Sequence, residues 1–76
     1  MKIYDYTVLI TPDVTGGYVV TCPALPGLVT QGETLEEART NAVESIDLYL
    51  EVLREDGEPI PADVTPIIEP LKIKVA

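Results

Sequence analysis

The chain has 76 residues, of which 13 are acidic and 5 are basic, so its formal net charge at neutral pH is −8. A chain of this length forms one domain, and we treat residues 1–76 as a single unit. Such an acidic surface repels phosphate backbones, so we expect no direct binding of nucleic acid by this chain alone. The charge suits a basic protein partner, or it only keeps a small protein in solution.

Histidine and cysteine usage narrows the possible functions further. The sequence has no histidine, and Cys22 is its single cysteine. The chain therefore cannot form an internal disulfide, build a zinc site from the usual ligands, or use histidine as a catalytic base. We expect no cofactor, no enzymatic activity and a structural role for the Cys22 thiol. Because small domains often gain stability by association, we predict a homo-oligomer, a dimer or higher.

The sequence also has no feature typical of membrane insertion or export. No stretch approaches the roughly 20 apolar residues that cross a bilayer. At the N-terminus, Asp5 lies between two tyrosines, which is unlike the layout of a signal peptide. We therefore expect a cytoplasmic protein that makes no contact with a membrane.

The beginning of the chain predicts two strands joined as a hairpin. In residues 2–11, aromatic and aliphatic side chains alternate with a more polar, mixed set, as they do on the two faces of a strand. One face of this run collects Tyr4, Tyr6, Val8 and Ile10. Turn residues at positions 12–17 end the run, and residues 18–22 form a second apolar, β-branched run.

A turn rich in proline then separates the second strand from a third. Pro23 and Pro26 lack the N–H donors that a strand ladder needs. Gly27 can supply the positive φ of a tight turn. Residues 28–31 follow as a short third strand that ends at Gly32.

The clearest signal in the sequence is a long helix that begins after Thr34. Thr34 and Glu37 form a capping box, in which the side chain of each residue accepts a hydrogen bond from the backbone N–H of the other. Gly57 is suited to the position after the helix, and Pro59 prevents its continuation. The predicted buried stripe consists of Leu35, Ala38, Ala42, Ile46, Tyr49 and Leu53.

Carboxylates of this helix lie mostly outside the apolar stripe. The candidates for binding a partner are Glu44, Asp47, Glu51 and Glu55. A row of charges on a helix is more often a solvated face than a binding site. The interpretation that these four residues steer a basic partner depends on charge complementarity.

The end of the chain predicts a stiff connector and a last strand. Residues 58–70 contain four prolines, which favour an extended backbone. Leu71, Ile73 and Val75 then alternate with two lysines, a pattern typical of a strand with one wet face. The predicted order is β-β-β-α-β, an α+β fold in which the helix covers one face of the sheet as a two-layer sandwich.

One residue offers an alternative interpretation as an enzyme. The β-β-β-α-β order is similar to the first half of the ribonuclease H fold, whose nucleases place a metal-binding carboxylate on the first strand. Asp5 lies on the first predicted strand. Two-metal catalysis needs several convergent carboxylates, and no matching acid follows another strand, so an exposed Asp5 without a catalytic role is favoured.

Five short motifs occur between residue 23 and residue 61. They are Pro23-x-Leu25-Pro26-Gly27, Gln31-Gly32-x-Thr34, Glu37-Ala38, Asn41-Ala42-x-Glu44 and Gly57-x-Pro59-Ile60-Pro61. Together they resemble the HicB family of antitoxins from bacterial toxin–antitoxin pairs. The resemblance implies a partial ribonuclease H-like fold without nuclease activity, and Pro23, Pro26, Gly27, Thr34, Glu37 and Gly57 as its structural turn and cap residues.

The same resemblance implies a partner and a function. The partner is HicA, a small basic toxin that cleaves messenger RNA, and the antitoxin binds it and blocks its active surface. Many HicB proteins carry a C-terminal DNA-binding domain, and since this sequence ends at Ala76 we expect no such domain here. The alternative is a stand-alone oligomeric interaction module with an unknown ligand and no catalytic activity.

Overall fold

The structure is a computed structural model that describes residues 3–76. Its elements, in chain order, are β1 (Leu9–Pro12), β2 (Tyr18–Thr21), β3 (Val29–Gly32) and α1 (Leu35–Glu55). The three strands form one antiparallel sheet with β2 in the centre. The chain is therefore α+β with the order β-β-β-α, which confirms the predicted class.

The β1–β2 hairpin is closed by backbone hydrogen bonds within its loop. The N–H of Asp13 donates to the carbonyl of Gly17, and the N–H of Gly16 donates to the carbonyl of Asp13, both at 3.0 Å. Beyond the loop, Ile10 lies opposite Val20. This register places both side chains on the face of the sheet that α1 covers, because strand side chains alternate between faces.

Two consecutive tight turns connect β2 to β3, as the prolines predict. The N–H of Leu25 donates to the carbonyl of Cys22 at 3.0 Å, and the N–H of Leu28 donates to the carbonyl of Leu25 at 3.2 Å. Pro26 and Gly27 are the central residues of the second turn, where Gly27 has a φ of 86°. A proline followed by a residue with positive φ is the requirement of a type II turn.

The helix begins with the predicted cap, although one of its two hydrogen bonds differs. The hydroxyl oxygen of Thr34 accepts from the N–H of Glu37 at 3.1 Å. The carboxylate of Glu37 accepts from the N–H of Glu33 at 3.2 Å, one residue before the expected donor. The reciprocal bond of the box is therefore displaced by one residue, and it satisfies the backbone N–H of the residue that precedes the cap Thr34.

The helix ends at a glycine, also as predicted. Gly57 has a φ of 69°, and its N–H donates to the carbonyl of Arg54 at 3.2 Å. The N–H of Glu58 donates to the carbonyl of Leu53 at 2.8 Å. This pair of bonds is the Schellman motif, which satisfies the carbonyls that the last helical turn leaves free.

The core consists of two small clusters beneath the helix. The first joins Val20 of β2 to Ala38 and Ala42 of α1, and the second is built by the turns between β2 and β3. Members of the second cluster are Cys22, Ala24, Leu25 and Leu28. The predicted helix stripe is confirmed for Ala38 and Ala42, which are buried, whereas the other four members are half-buried or exposed.

The predicted fourth strand is wrong for the single chain. The structure assigns no strand between residues 56 and 76. Leu71, Ile73 and Val75 are all exposed, so their alternating pattern has nothing to pack against. The pattern correctly marks a segment suited to a sheet, but a strand also needs a neighbour to satisfy its backbone groups.

Candidate functional site

A groove separates the segment before β1 from the outer side of α1. Its larger part has a volume of about 590 Å³ and is lined by Tyr4, Asp47, Leu50, Glu51, Arg54 and Glu55. Its smaller part, of about 390 Å³, is lined by Tyr4, Asp5, Tyr6, Val43, Ile46, Asp47 and Leu50. We call the residues of both parts the tyrosine groove.

The two tyrosines reach this groove because alternate residues of an extended segment share a face. The rings of Tyr4 and Tyr6 stack with their centroids 6.4 Å apart. The hydroxyl of Tyr6 donates to the carbonyl of Pro61. Burial, and then the negative charge of Tyr4, Cys22 and Asp63 when ionised, raise the pKa of Tyr6 above its ordinary value.

The helix supplies a row of carboxylates along the edge of the groove. We call Glu44, Asp47, Glu51 and Glu55 the acidic stripe, since spacings of three and four place them on one side of α1. All four are exposed. Asp47, Glu51 and Glu55 line the groove, whereas Glu44 does not. The structure therefore brings three of the four predicted partner-binding carboxylates to one surface.

A second exposed surface lies on the other side of the acidic stripe. Successive residues of a helix are about 100° apart around its axis. Seen along that axis, the acidic stripe therefore lies between the tyrosine groove and this second surface. We call it the apolar patch, and its members are Ser45, Leu48, Tyr49, Val52 and Leu53. The hydroxyl of Tyr49 donates to the carbonyl of Pro26 at 2.9 Å, which fixes this part of the helix on the turn. Sequence periodicity placed Tyr49 and Leu53 in the core and gave no signal for a patch.

Besides the hydrogen bond from Tyr6 to Pro61, one carboxylate attaches the connector to the segment that precedes β1. Asp63 accepts from the N–H of Thr7 at 2.9 Å and from the hydroxyl of Thr7 at 2.7 Å. These backbone and side-chain hydrogen bonds lower the pKa of Asp63 from its ordinary value of 3.8, because they favour the ionised form. The contact fixes the path of the chain after the helix, and no motif in the sequence indicated it.

Asp63→Asn is expected to weaken the dependence of stability on acid pH. Since folding lowers the pKa of Asp63, the ionised side chain stabilises the fold above about pH 4, and that stabilisation is lost as the pH falls through the folded-state pKa. Urea unfolding between about pH 5 and pH 2.5 should therefore show a shallower loss of stability in Asp63→Asn than in the wild type.

Glu69→Gln is the matched control, since it removes one exposed carboxylate from the same end of the chain. It should keep the wild-type dependence. An identical acid profile for Asp63→Asn and the wild type would contradict a stabilising role of the Thr7–Asp63 contact.

The tyrosine groove and the apolar patch offer groups that can bind a ligand or a partner. The tyrosine groove offers carboxylates, aromatic rings and the guanidinium of Arg54. Asp5 is exposed at its rim, and within residues 3–76 no three cysteine, aspartate or glutamate side chains come together as metal ligands. The thiol of Cys22 is free and buried in the core. In the same part of the chain, no helix combines the length and apolar composition of a membrane span.

The chain is similar to known proteins over most of its length. Residues 6–73 match the family model of the HicB-like antitoxin of bacterial toxin–antitoxin systems. A UPF0150 protein of Synechocystis sp. is 45% identical over 74 residues, which are 97% of this chain and 92% of that protein. A UPF0150 protein of Thermoplasma acidophilum is 53% identical over 58 residues, which are 76% of this chain and 84% of that protein.

A relative that is named as an antitoxin is longer. Antitoxin HicB 1 of Photorhabdus laumondii is 41% identical over 61 residues, which are 80% of this chain and 39% of that protein. These matches confirm the resemblance that the motifs between residues 23 and 61 indicate. The chain belongs to the HicB-like antitoxin family of bacterial toxin–antitoxin systems.

Proposed function

We propose that this protein is a cytoplasmic, non-catalytic antitoxin that binds a small basic ribonuclease of the HicA type and inhibits it. The observation that carries the proposal is the family match over residues 6–73. The net charge of −8 supports it, because an acidic surface accelerates the encounter with a basic partner. The β-β-β-α order also supports our proposal that the fold is a partial ribonuclease H-like fold.

We place the toxin on the acidic stripe and the apolar patch beside it. Affinity at protein interfaces comes mainly from a few buried apolar anchors, while charges at the rim act on the association rate. Leu48 and Val52 are exposed on the patch, at 63% and 47%, and are suited to the role of anchors. Glu44, Asp47, Glu51 and Glu55 flank them and are suited to steering.

The proposal predicts inhibition in a purified system. The toxin encoded beside this protein is incubated with RNA, and cleavage is followed as the protein is added. Cleavage should stop near one equivalent, and the association rate should fall as salt rises. Leu48→Glu should weaken binding at least tenfold, since it places a charge in the proposed anchor site.

Val14→Glu is the matched control, because Val14 is fully exposed in the hairpin loop and belongs neither to the acidic stripe nor to the apolar patch. It should inhibit as well as the wild type. Undiminished RNA cleavage at a molar excess of the wild-type protein would end the antitoxin proposal. Metal-dependent cleavage of RNA by this protein alone, lost in Asp5→Ala, would support the enzyme interpretation instead.

A further inference from the structure

The end of the chain exposes an unusual amount of apolar surface. We call residues 67–76 the tail. Its five large aliphatic side chains, each between 74% and 85% exposed, are Ile67, Ile68, Leu71, Ile73 and Val75. Within residues 3–76, the backbone of the tail makes no hydrogen bond to another element. An exposed apolar run of this kind marks an interaction surface.

The dimensions of the chain show that the tail does not fold back on the domain. The radius of gyration is 14.9 Å, and the longest extent is 53 Å against 26 and 19 Å in the other directions. A compact domain of this length has a radius of gyration of about 11 Å. The chain is therefore less compact than a globular domain of the same length.

The tyrosine groove contains an apolar surface that matches the apolar side chains of the tail. Its smaller part has an apolar floor formed by Tyr4, Tyr6, Val43, Ile46 and Leu50. Val43 is 68% exposed although it lies on the helix next to the buried Ala42. The helix therefore leaves apolar surface uncovered beside the segment that precedes β1.

We propose that the tail of one copy of this chain docks in the tyrosine groove of a second copy, and that the two copies exchange tails reciprocally. Leu71, Ile73 and Val75 share one face of the extended tail and contact the apolar floor. Lys72 and Lys74 lie on the other face. An exchange of identical segments around a two-fold axis gives a closed dimer.

Charge complementarity indicates that the occupant is a second copy. The tail beyond Pro70 contains Lys72 and Lys74 and no acidic side chain, whereas all 13 acidic side chains of the chain precede Pro70. Asp5 and Asp47 are exposed at the edge of the smaller part of the groove, where the long side chains of lysines on the outer face of the docked tail can reach them. A basic toxin lacks this complementarity to a basic tail, because like charges oppose its approach.

The path of the connector disfavours docking of the tail in its own groove. Asp63 is held at Thr7, beside the groove, by two hydrogen bonds. Pro66 and Pro70 stiffen the chain that follows, because each ring fixes its own φ and restricts the residue before it. A return to the same groove would need a reversal within this segment.

The test is the molar mass of the full chain in solution, measured by light scattering at about 10–100 μM, where a dimer with a micromolar dissociation constant is populated. The wild type should have twice the chain mass of 8.3 kDa. Ile73→Glu on the tail and Val43→Glu in the groove should each give the monomer mass. Leu48→Glu, at an equally exposed helix position outside the groove, should keep the dimer mass.

Mixing the two monomeric variants distinguishes exchange from unfolding. The Ile73→Glu chain keeps an intact groove and the Val43→Glu chain keeps an intact tail, so one of the two exchanged contacts is restored. The mixture should therefore contain a dimer that neither variant forms alone, and circular dichroism should show wild-type helix content in both.

Three results would overturn the proposal. The first is a monomeric wild type at 100 μM, which would also be the result if the tail docked within its own chain. The second is a dimer that either Ile73→Glu or Val43→Glu leaves intact. The third is a mixture of the folded variants that stays monomeric.

Discussion

Leu25→Ala is expected to lower the free energy of unfolding by roughly 3–5 kcal/mol, the range for leucines in well-packed cores. Leu25 is 0% exposed and is one of the two largest fully buried side chains. It lies between the two turns that connect β2 to β3, and it packs with Cys22 and Leu28 beneath the helix. Truncation removes apolar contacts and leaves a cavity that hydrogen-bonded turns cannot easily fill.

The measurement is urea unfolding at a fixed protein concentration, since association of the chain would make the apparent stability depend on concentration. Leu48→Ala is the matched control, because the same atoms are removed at a position that is 63% exposed. Its effect should stay within about 0.5 kcal/mol. Equal midpoints for the two variants would show that the cluster around Leu25 does not form the core.

The helix could be predicted almost residue by residue because its signals are local. Thr34 and Gly57 lie at its two ends, and capping depends on atoms within a few residues of each end. The turns between β2 and β3 could be predicted equally well, since Pro26 fixes its own φ and Gly27 permits the positive φ that the second turn needs. The helix ends and these turns are determined by interactions between residues that are close in sequence, so the residue types and their spacing are enough to predict them.

The fourth strand could not be predicted correctly, because a strand depends on a partner that local pattern does not identify. Leu71 and Ile73 alternate with lysines as strand residues do, yet the structure leaves both exposed. Of the candidate site, three carboxylates could be predicted from their spacing on the helix. The contribution of Tyr4 and Val43 could not, since the groove forms between segments about 40 residues apart in sequence.

Gly32 is a further residue whose role the sequence does not reveal. The alternating pattern suggests only that a glycine ends β3, and the residue has no positive φ. In the structure it lies beneath the first turn of α1, where the backbone of the strand approaches the backbone of the helix. A Cβ atom at Gly32 would meet the backbone nitrogen of Ala38 and would lie 2.7 Å from its Cα and 2.9 Å from the carbonyl carbon of Glu37.

Gly32→Ala is therefore expected to destabilise the protein by about 3 kcal/mol, at the upper end of the usual effect of overpacking. The atoms that a methyl group would meet belong to the helix backbone, so no side-chain rotation can relieve the contact. Relief requires α1 to move away from β3, and this also loosens the packing of Ala38 and Ala42 on Val20. Thermal and urea unfolding should both detect the loss.

Gly57→Ala separates this steric effect from the conformational preference of glycine. Gly57 has a φ of 69° and no atom within 4 Å of an added Cβ, so alanine there is strained only by its backbone angles. That strain costs about 1–2 kcal/mol. The destabilisation by Gly32→Ala should exceed that of Gly57→Ala, because the first change separates two packed layers while the second alters only an exposed helix end. If Gly57→Ala were the more harmful of the two, the close contact between β3 and α1 would be absent in solution.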